Sequence, residues 1–318
     1  MFKAYYDPNR FRFLNVLKER RAFKHAGGEV LRKTACFLGE KFNVFVDSSD
    51  GINEDLPINE YCGRIKLIVE KFDKPFLYFK CNHSREKTSD IERIAKQHGG
   101  RVLPFFMWNL HSQNPKFYSD ILPNRTYWIE KNKNQQKEFD IMYAASKKVY
   151  QYPKPNAGDD KIAWSDYRNF GLGTPKDTGW YELGTRNSIY DVIDGIEGVS
   201  IERPPIVEYM QYMENMTKYR VQFSPPGVGE YSCRIFNGSA IGQCMLLRKN
   251  TYDFYDSWKE YFPEVDVGSD DLEAELTGIV RDYREWGEKS RFYFENSLSE
   301  SRMIEVFILE VEKFGSSI

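Results

Sequence analysis

The sequence predicts an α/β protein made of two blocks of alternating strands and helices, and three observations predict it. Short buried-type runs recur along the chain (FNVFV, PFLYFKC and RVLPFFMW, then FDIMYAA, YRVQFS and QCMLL), with helix-capable segments between them. Strands that alternate with helices build mostly parallel sheets. The chain has 318 residues, of which 41% are hydrophobic and 29% charged; that is enough for two ordinary domains with a core, and too apolar for a disordered chain. Finally, no apolar run approaches the roughly 18–20 residues a membrane helix needs, and mean hydropathy is −0.62.

The elements follow in order. Residues 3–7 (KAYYD) read as a short strand and 9–24 as a basic helix. Gly27-Gly28 precede a segment whose apolar positions Val30, Leu31, Ala35 and Leu38 have helical spacing, and a strand over 42–46 then ends at Asp47. Strands are expected over 75–81 and 101–108, with the helix SDIERIAKQHGG between them closing on a glycine pair. Residues 131–138 (KNKNQQKE) are polar and lysine-rich, as an interdomain linker or exposed loop would be.

The second block opens with a strand over 139–145. Residues 186–196 form a helix with Ile189, Val192, Ile193 and Ile196 on one face and Thr185 as its cap. A strand over 198–202 leads to a helix after Pro204-Pro205, with Ile206, Tyr209, Met213 and Met216 inward. Strands over 219–224 and 243–247 follow, then a helix over 270–283 with Leu272, Leu276, Ile279, Val280 and Tyr283 along one side. An apolar helix over 299–314 ends the chain. The expected domains are 1–135, 136–298 and a terminal helix 299–318. Residues 146–184, rich in aromatics, glycine and proline, form a long insertion in the second, and a loop of that length in a compact domain is usually functional.

Net charge is −2 and uneven: residues 260–318 hold 15 acidic and 6 basic side chains, a balance of −9, which leaves +7 on residues 1–259. Residues 1–25 alone carry +5, which suits either a solvated face or an anionic partner, and they are too charged for a secretory signal. The five cysteines, an odd number without CxxC spacing, argue against a disulfide framework or a structural zinc site and suit a reducing compartment. Together these features predict a cytoplasmic protein without a membrane span.

The most informative stretch is YRVQFSPPGVGEYSCRIFNGSAIGQCMLL, residues 219–247. A strand ends at Ser224, and a Pro/Gly turn containing Gly227 and Gly229 allows close approach of a ligand. A helix then opens near Tyr231, its free N–H groups facing the turn, which suits a diphosphate. Glu230, Tyr231 and Ser232 line the entry. Arg234 adds a fixed cation about one turn in, Asn237 lies on the same face, and Gly238 and Gly242 permit close packing or end the helix.

This stretch resembles the donor-binding region of glycosyltransferases with the GT-B fold, the exostosin-like members in particular. Arg234-Ile235-Phe236-Asn237-Gly238, then Gly242 and Leu246, match the pattern R-x-F-E-A-x-x-x-G-x-x-x-L, with Asn237 where the pattern has a ribose-binding Glu. Glu230 sits seven residues before Asn237, so the spaced glutamate pair of many retaining members is absent. The segment GGEVLRKTACFLGEKFNVFVD resembles the family's opening, and block order agrees from about Gly27 to the end. The resemblance implies two Rossmann-like domains facing each other across a cleft, a nucleotide-sugar bound by the second, an acceptor bound by the first, and a final helix crossing back to the first domain.

On this reading the donor is a UDP- or GDP-linked sugar, and Arg234 with the helix N-terminus stabilises the leaving diphosphate. No DxD-like triplet stands at a strand end, Asp159-Asp160 and Asp270-Asp271 reading as loop or cap acids, so transfer is expected to need neither metal nor other cofactor. An inverting mechanism also needs a base. The candidates are Asp47, His83 and His111 at strand ends and His25, with Asp47 and His25 favoured, and Gly27, Gly28, His83 and His111 on the acceptor side. The acceptor is a glycan, a glycoprotein or a small molecule. The alternative is DNA with a hydroxymethylated base, as in phage-type DNA glycosyltransferases, for which Tyr150, Tyr152, Trp164, Lys147, Lys148 and Lys154 would serve. A nucleotide-sugar epimerase or a non-catalytic nucleotide or sugar binder is the third possibility.

Overall fold

The computed structural model describes residues 1–6, 13–21, 23–27, 34–47, 65, 67–80, 92–104, 115–143, 192–193, 195–205, 207–224, 233–249 and 258–318. Among them are two β-sheets, each flanked by helices. In the first, β1 (Phe2–Tyr5), β2 (Phe23–Gly27), β3 (Thr34–Leu38), β4 (Asn43–Asp47), β5 (Phe76–Lys80) and β6 (Gly100–Pro104) lie in the order β2-β1-β3-β4-β5-β6. β3 runs antiparallel to both neighbours, and the other pairings are parallel. The carboxyl ends of β1, β2, β4, β5 and β6 therefore share one edge, and the sheet is mixed through the single antiparallel strand β3.

Every residue of β4 and β5 is buried. Such strands read as continuous apolar runs because both faces are covered. One face carries Val44, Val46, Leu77 and Phe79 beneath α1 (Phe13–Glu19) and the terminal helix; the other carries Phe45, Phe76 and Tyr78 beneath helical turns at 65–71 and 92–97.

The second sheet contains β7 (Phe139–Tyr143), β8 (Ile201–Glu202), β9 (Tyr219–Ser224), β10 (Cys244–Arg248) and β11 (Glu264–Val265), in the order β8-β7-β9-β10-β11. All its pairings are parallel. Numbered within the sheet, the order is 2-1-3-4-5, a doubly wound topology whose direction reverses between β7 and β9. One face packs Ile141, Val221, Phe223 and Leu246 against α5 (Leu272–Arg281). The other packs Met142, Met245 and Leu247 against α3 (Tyr209–Met216), α4 (Cys233–Ala240) and α6 (Tyr283–Tyr293), and near α2 (Arg125–Asn134) through Trp128.

A π-helical turn over Phe294–Leu298 joins α6 to α7 (Glu300–Ser317). Ser299 caps α7, its hydroxyl accepting from the Arg302 N–H. Met303, Ile304, Phe307 and Phe314 lie buried in the core of the first sheet, with the Phe307 ring 5.0 Å from that of Phe79 and 5.8 Å from that of Phe37. The chain thus leaves the second sheet's layers and ends on the first sheet.

Three expectations need correction. Thr34–Leu38, read as part of a helix, is strand β3. Because Thr34 through Phe37 are all buried, they show no alternation, and an apolar run of this kind mimics helical spacing. Of the basic helix expected over 9–24, the described residues form α1 over Phe13–Glu19, and Phe23–Gly27 is the edge strand β2. The stretch 131–138 is not an exposed linker throughout: α2 continues to Asn134, and Asn132 is buried, its amide donating to the carbonyls of Gly242 (3.0 Å) and Ile241 (3.3 Å). Strands 198–202 and 243–247 shorten or shift to Ile201–Glu202 and Cys244–Arg248, while α5 and α7 fall within or close to their expected ranges. The insertion 146–184 lies outside the described residues.

Candidate functional site

The parallel sheet fixes where a ligand would lie. In open α/β sheets ligands bind outside the carboxyl ends of the strands, at the point where strand order reverses. Here that point is the pair of ends at Tyr143 of β7 and Ser224 of β9, which are adjacent in the sheet. α4 begins at Cys233, nine residues after Ser224, and packs back along β9 and β10. The strand that opens the segment singled out from sequence therefore ends at the sheet's topological switch.

The packing of α4 explains its glycines. A Cβ on Gly238 would come 1.9 Å from Sδ of Met245, so glycine here leaves room for the Met245 side chain against the helix. Gly242 has φ +72°. Its N–H donates to Ser239 O (3.2 Å) and the Gln243 N–H to Gly238 O (2.9 Å), the paired bonds of a Schellman C-terminus.

Arg234 is half-buried in the first turn of α4 and makes no hydrogen bond or ion pair with any described residue. Asn237 is buried, and its Oδ1 accepts from the Tyr209 hydroxyl of α3 at 3.0 Å. That bond uses one side of the Asn237 amide and leaves its N–H donors available. Tyr209, read from sequence as a core position, is the partner that holds Asn237. Gly227, Gly229, Glu230, Tyr231 and Ser232 lie outside the described residues.

At the carboxyl edge of the first sheet, Asp47 and Lys80 are register partners on β4 and β5 and are almost fully buried. The Tyr78 hydroxyl donates to Asp47 Oδ2, and Lys80 Nζ lies 3.9 Å from the same oxygen. Tyr78 stands two residues before Lys80, so the pleat sets both on one face. The sequence signal for this cluster was a lysine at the end of an otherwise apolar strand, which only a buried partner explains. Asp47 is thus engaged by two donors. His25 sits on edge strand β2, half-buried, with its Nε2 3.4 Å from Tyr6 O and its ring tilted over Tyr6 at 4.6 Å. Gly27 ends that strand. Gly28, His83 and His111, like Tyr150, Tyr152, Trp164, Lys147, Lys148, Lys154 and Asp159-Asp160, lie outside the described residues.

Among the described residues no three His, Cys, Asp or Glu side chains converge to hold a metal ion, and no helix is long and apolar enough to cross a membrane. Cys36 and Cys244 are buried free thiols, and burial pushes the Cys244 thiol well up, away from thiolate chemistry. No protein-family model matches this sequence, and no curated protein matches it.

Proposed function

We propose that this chain is a nucleotide-sugar-dependent glycosyltransferase of the GT-B type, moving a sugar from a UDP- or GDP-linked donor to a hydroxyl of a glycan, glycoprotein or small molecule. One observation carries the reading: β9 ends at the switch point of a doubly wound parallel sheet, and α4, which bears Arg234, packs back along β9 and β10. The resemblance of that segment to a donor-binding motif adds to it. Arg234 supports it further as a half-buried cation that pairs with no described residue.

In the proposed reaction the bond between the anomeric carbon and the diphosphate oxygen breaks, and the bond electrons leave with the diphosphate. The acceptor oxygen bonds to the anomeric carbon and its proton passes to a base. Arg234 and the N-terminal amides of α4 stabilise the charge that builds on the leaving group, without requiring a metal ion. Asp47 and His25, both on strands of the first sheet, are the candidate bases, and the first sheet is the proposed acceptor side. The protein acts in the cytoplasm on this reading.

Replacing Arg234 by Ala is expected to lower turnover and weaken donor binding by roughly 10²–10³-fold. Steady-state kinetics and nucleotide titration of the variant measure this; wild-type values for both would remove Arg234 from the site.

A further inference from the structure

A second polar cavity lies at the opposite edge of the parallel sheet. It has a volume of about 260 Å³ and sits beside the amino ends of β7, β9 and β10, walled by the end of α2 and by α6. Its floor is a satisfied polar network. The Gln243 side chain donates to Tyr219 O (3.1 Å) and Arg220 O (3.2 Å), Asn132 donates to Gly242 O (3.0 Å), and the Ser290 hydroxyl donates to Gln243 O (2.9 Å).

Around that floor stand Lys133, Lys137, Arg220, Arg284 and Arg291, with Glu288 as the only acid in the lining. Glu288 is taken by Arg291 at 2.5 Å, and Arg220 is paired with Asp140. Lys133, Lys137 and Arg284 remain without an acidic partner among the described residues. Lys137 Nζ donates to two neutral acceptors, Asn132 Oδ1 and Thr217 O, both at 2.8 Å, which leaves its third N–H unassigned. Arg284 Nε donates to the Tyr283 hydroxyl at 3.0 Å. Burial and, next, the nearby Arg284 charge push the Lys137 ammonium down to about 8, as befits a cation lacking its counter-ion.

We propose that this cavity is a binding site for a small phosphate-bearing polyanion of the pyrophosphate class, separate from the switch-point site. Two guanidinium or ammonium groups match a multiply charged phosphate better than a single carboxylate, because each oxygen takes its own charged donor. Binding there would supply the counter-charge that three cations lack.

The test is calorimetric titration of the full chain with inorganic pyrophosphate and, separately, orthophosphate. The comparison set is Arg284→Ala, Lys133→Ala, Lys137→Met and Arg234→Ala, each checked for folding by its thermal midpoint. Arg284 and Lys133 are exposed, so their variants test the charge without disturbing the core. Pyrophosphate is expected to bind more tightly than orthophosphate, with a component that loses at least about tenfold in affinity in Arg284→Ala and Lys133→Ala and that persists in Arg234→Ala. Loss only in Arg234→Ala would move the anion to α4 and overturn the proposal. Absence of binding to wild type would overturn it too, and so would binding of a single-stranded oligonucleotide without pyrophosphate binding.

Discussion

Asp47 and Lys80 illustrate how a single residue can carry more than one reading. The sequence places Asp47 at a strand end, where a catalytic base would be useful. The structure gives it a buried lysine across the ladder and a tyrosine hydroxyl donating to it. Breaking a buried charge pair by removing one member is strongly destabilising, so Asp47→Ala is expected to cost about 3–5 kcal/mol in urea unfolding. A loss below about 1 kcal/mol would show that the pair does not support the fold. Lys137 gives the opposite sign. Its folded value of about 8 lies below the ordinary 10.5, so between those pH values the unfolded chain holds more of this proton and stability rises with pH. The groups around it are Asn132, Thr217 O, Lys133, Arg220 and Arg284. Relative to Lys137→Met, wild type is expected to gain at most about 3 kcal/mol across that window and to show the full penalty below pH 8. Parallel stability curves for the two proteins would contradict this.

At the scale of elements, the strength of the sequence signal follows the chemistry of the buried face. β4, β5, β7 and β9 were legible because their buried runs are aromatic and β-branched. α6 was not, because its buried positions are Gly287, Ser290 and Tyr293 on an otherwise polar helix. Its packing combines Gly287 and the Ser290 hydrogen bond with the rings of Tyr283, Trp286 and Tyr293, so small and polar residues interrupt the apolar face. β3 failed for a different reason, being buried at every position but the last and so showing no alternation. In the candidate site, Arg234, Asn237 and the two glycines of α4 were legible from spacing. The Tyr209 contact and the cations around Lys137 were not, since they converge from segments far apart in the chain. Gly238 offers a direct check on α4. Alanine there gains up to about 1 kcal/mol of helix propensity but must displace buried Met245, which costs about 1–3 kcal/mol. A net loss is expected. In a double-mutant cycle with Met245→Ala, about 1 kcal/mol of it should be recovered. Strict additivity would mean the two side chains do not compete for space.

For the whole molecule, the two sheets have different characters. The second is wholly parallel and doubly wound, with a switch point of the kind that receives ligands; the first is mixed, and its carboxyl edge holds a buried Asp–Lys–Tyr cluster. α7 extends from the layers of the second onto the core of the first, so the two sheets are tied by packing as well as by sequence. The central claim is that the switch point binds a nucleoside diphosphate. It is tested most directly by calorimetric titration of wild type and Arg234→Ala with UDP, GDP, ADP and CMP and with the corresponding nucleotide-sugars. The account predicts that UDP or GDP, with its sugar conjugate, binds at one site and that Arg234→Ala weakens it roughly 10²-fold or more. Binding of no nucleotide, or binding indifferent to Arg234, would contradict it.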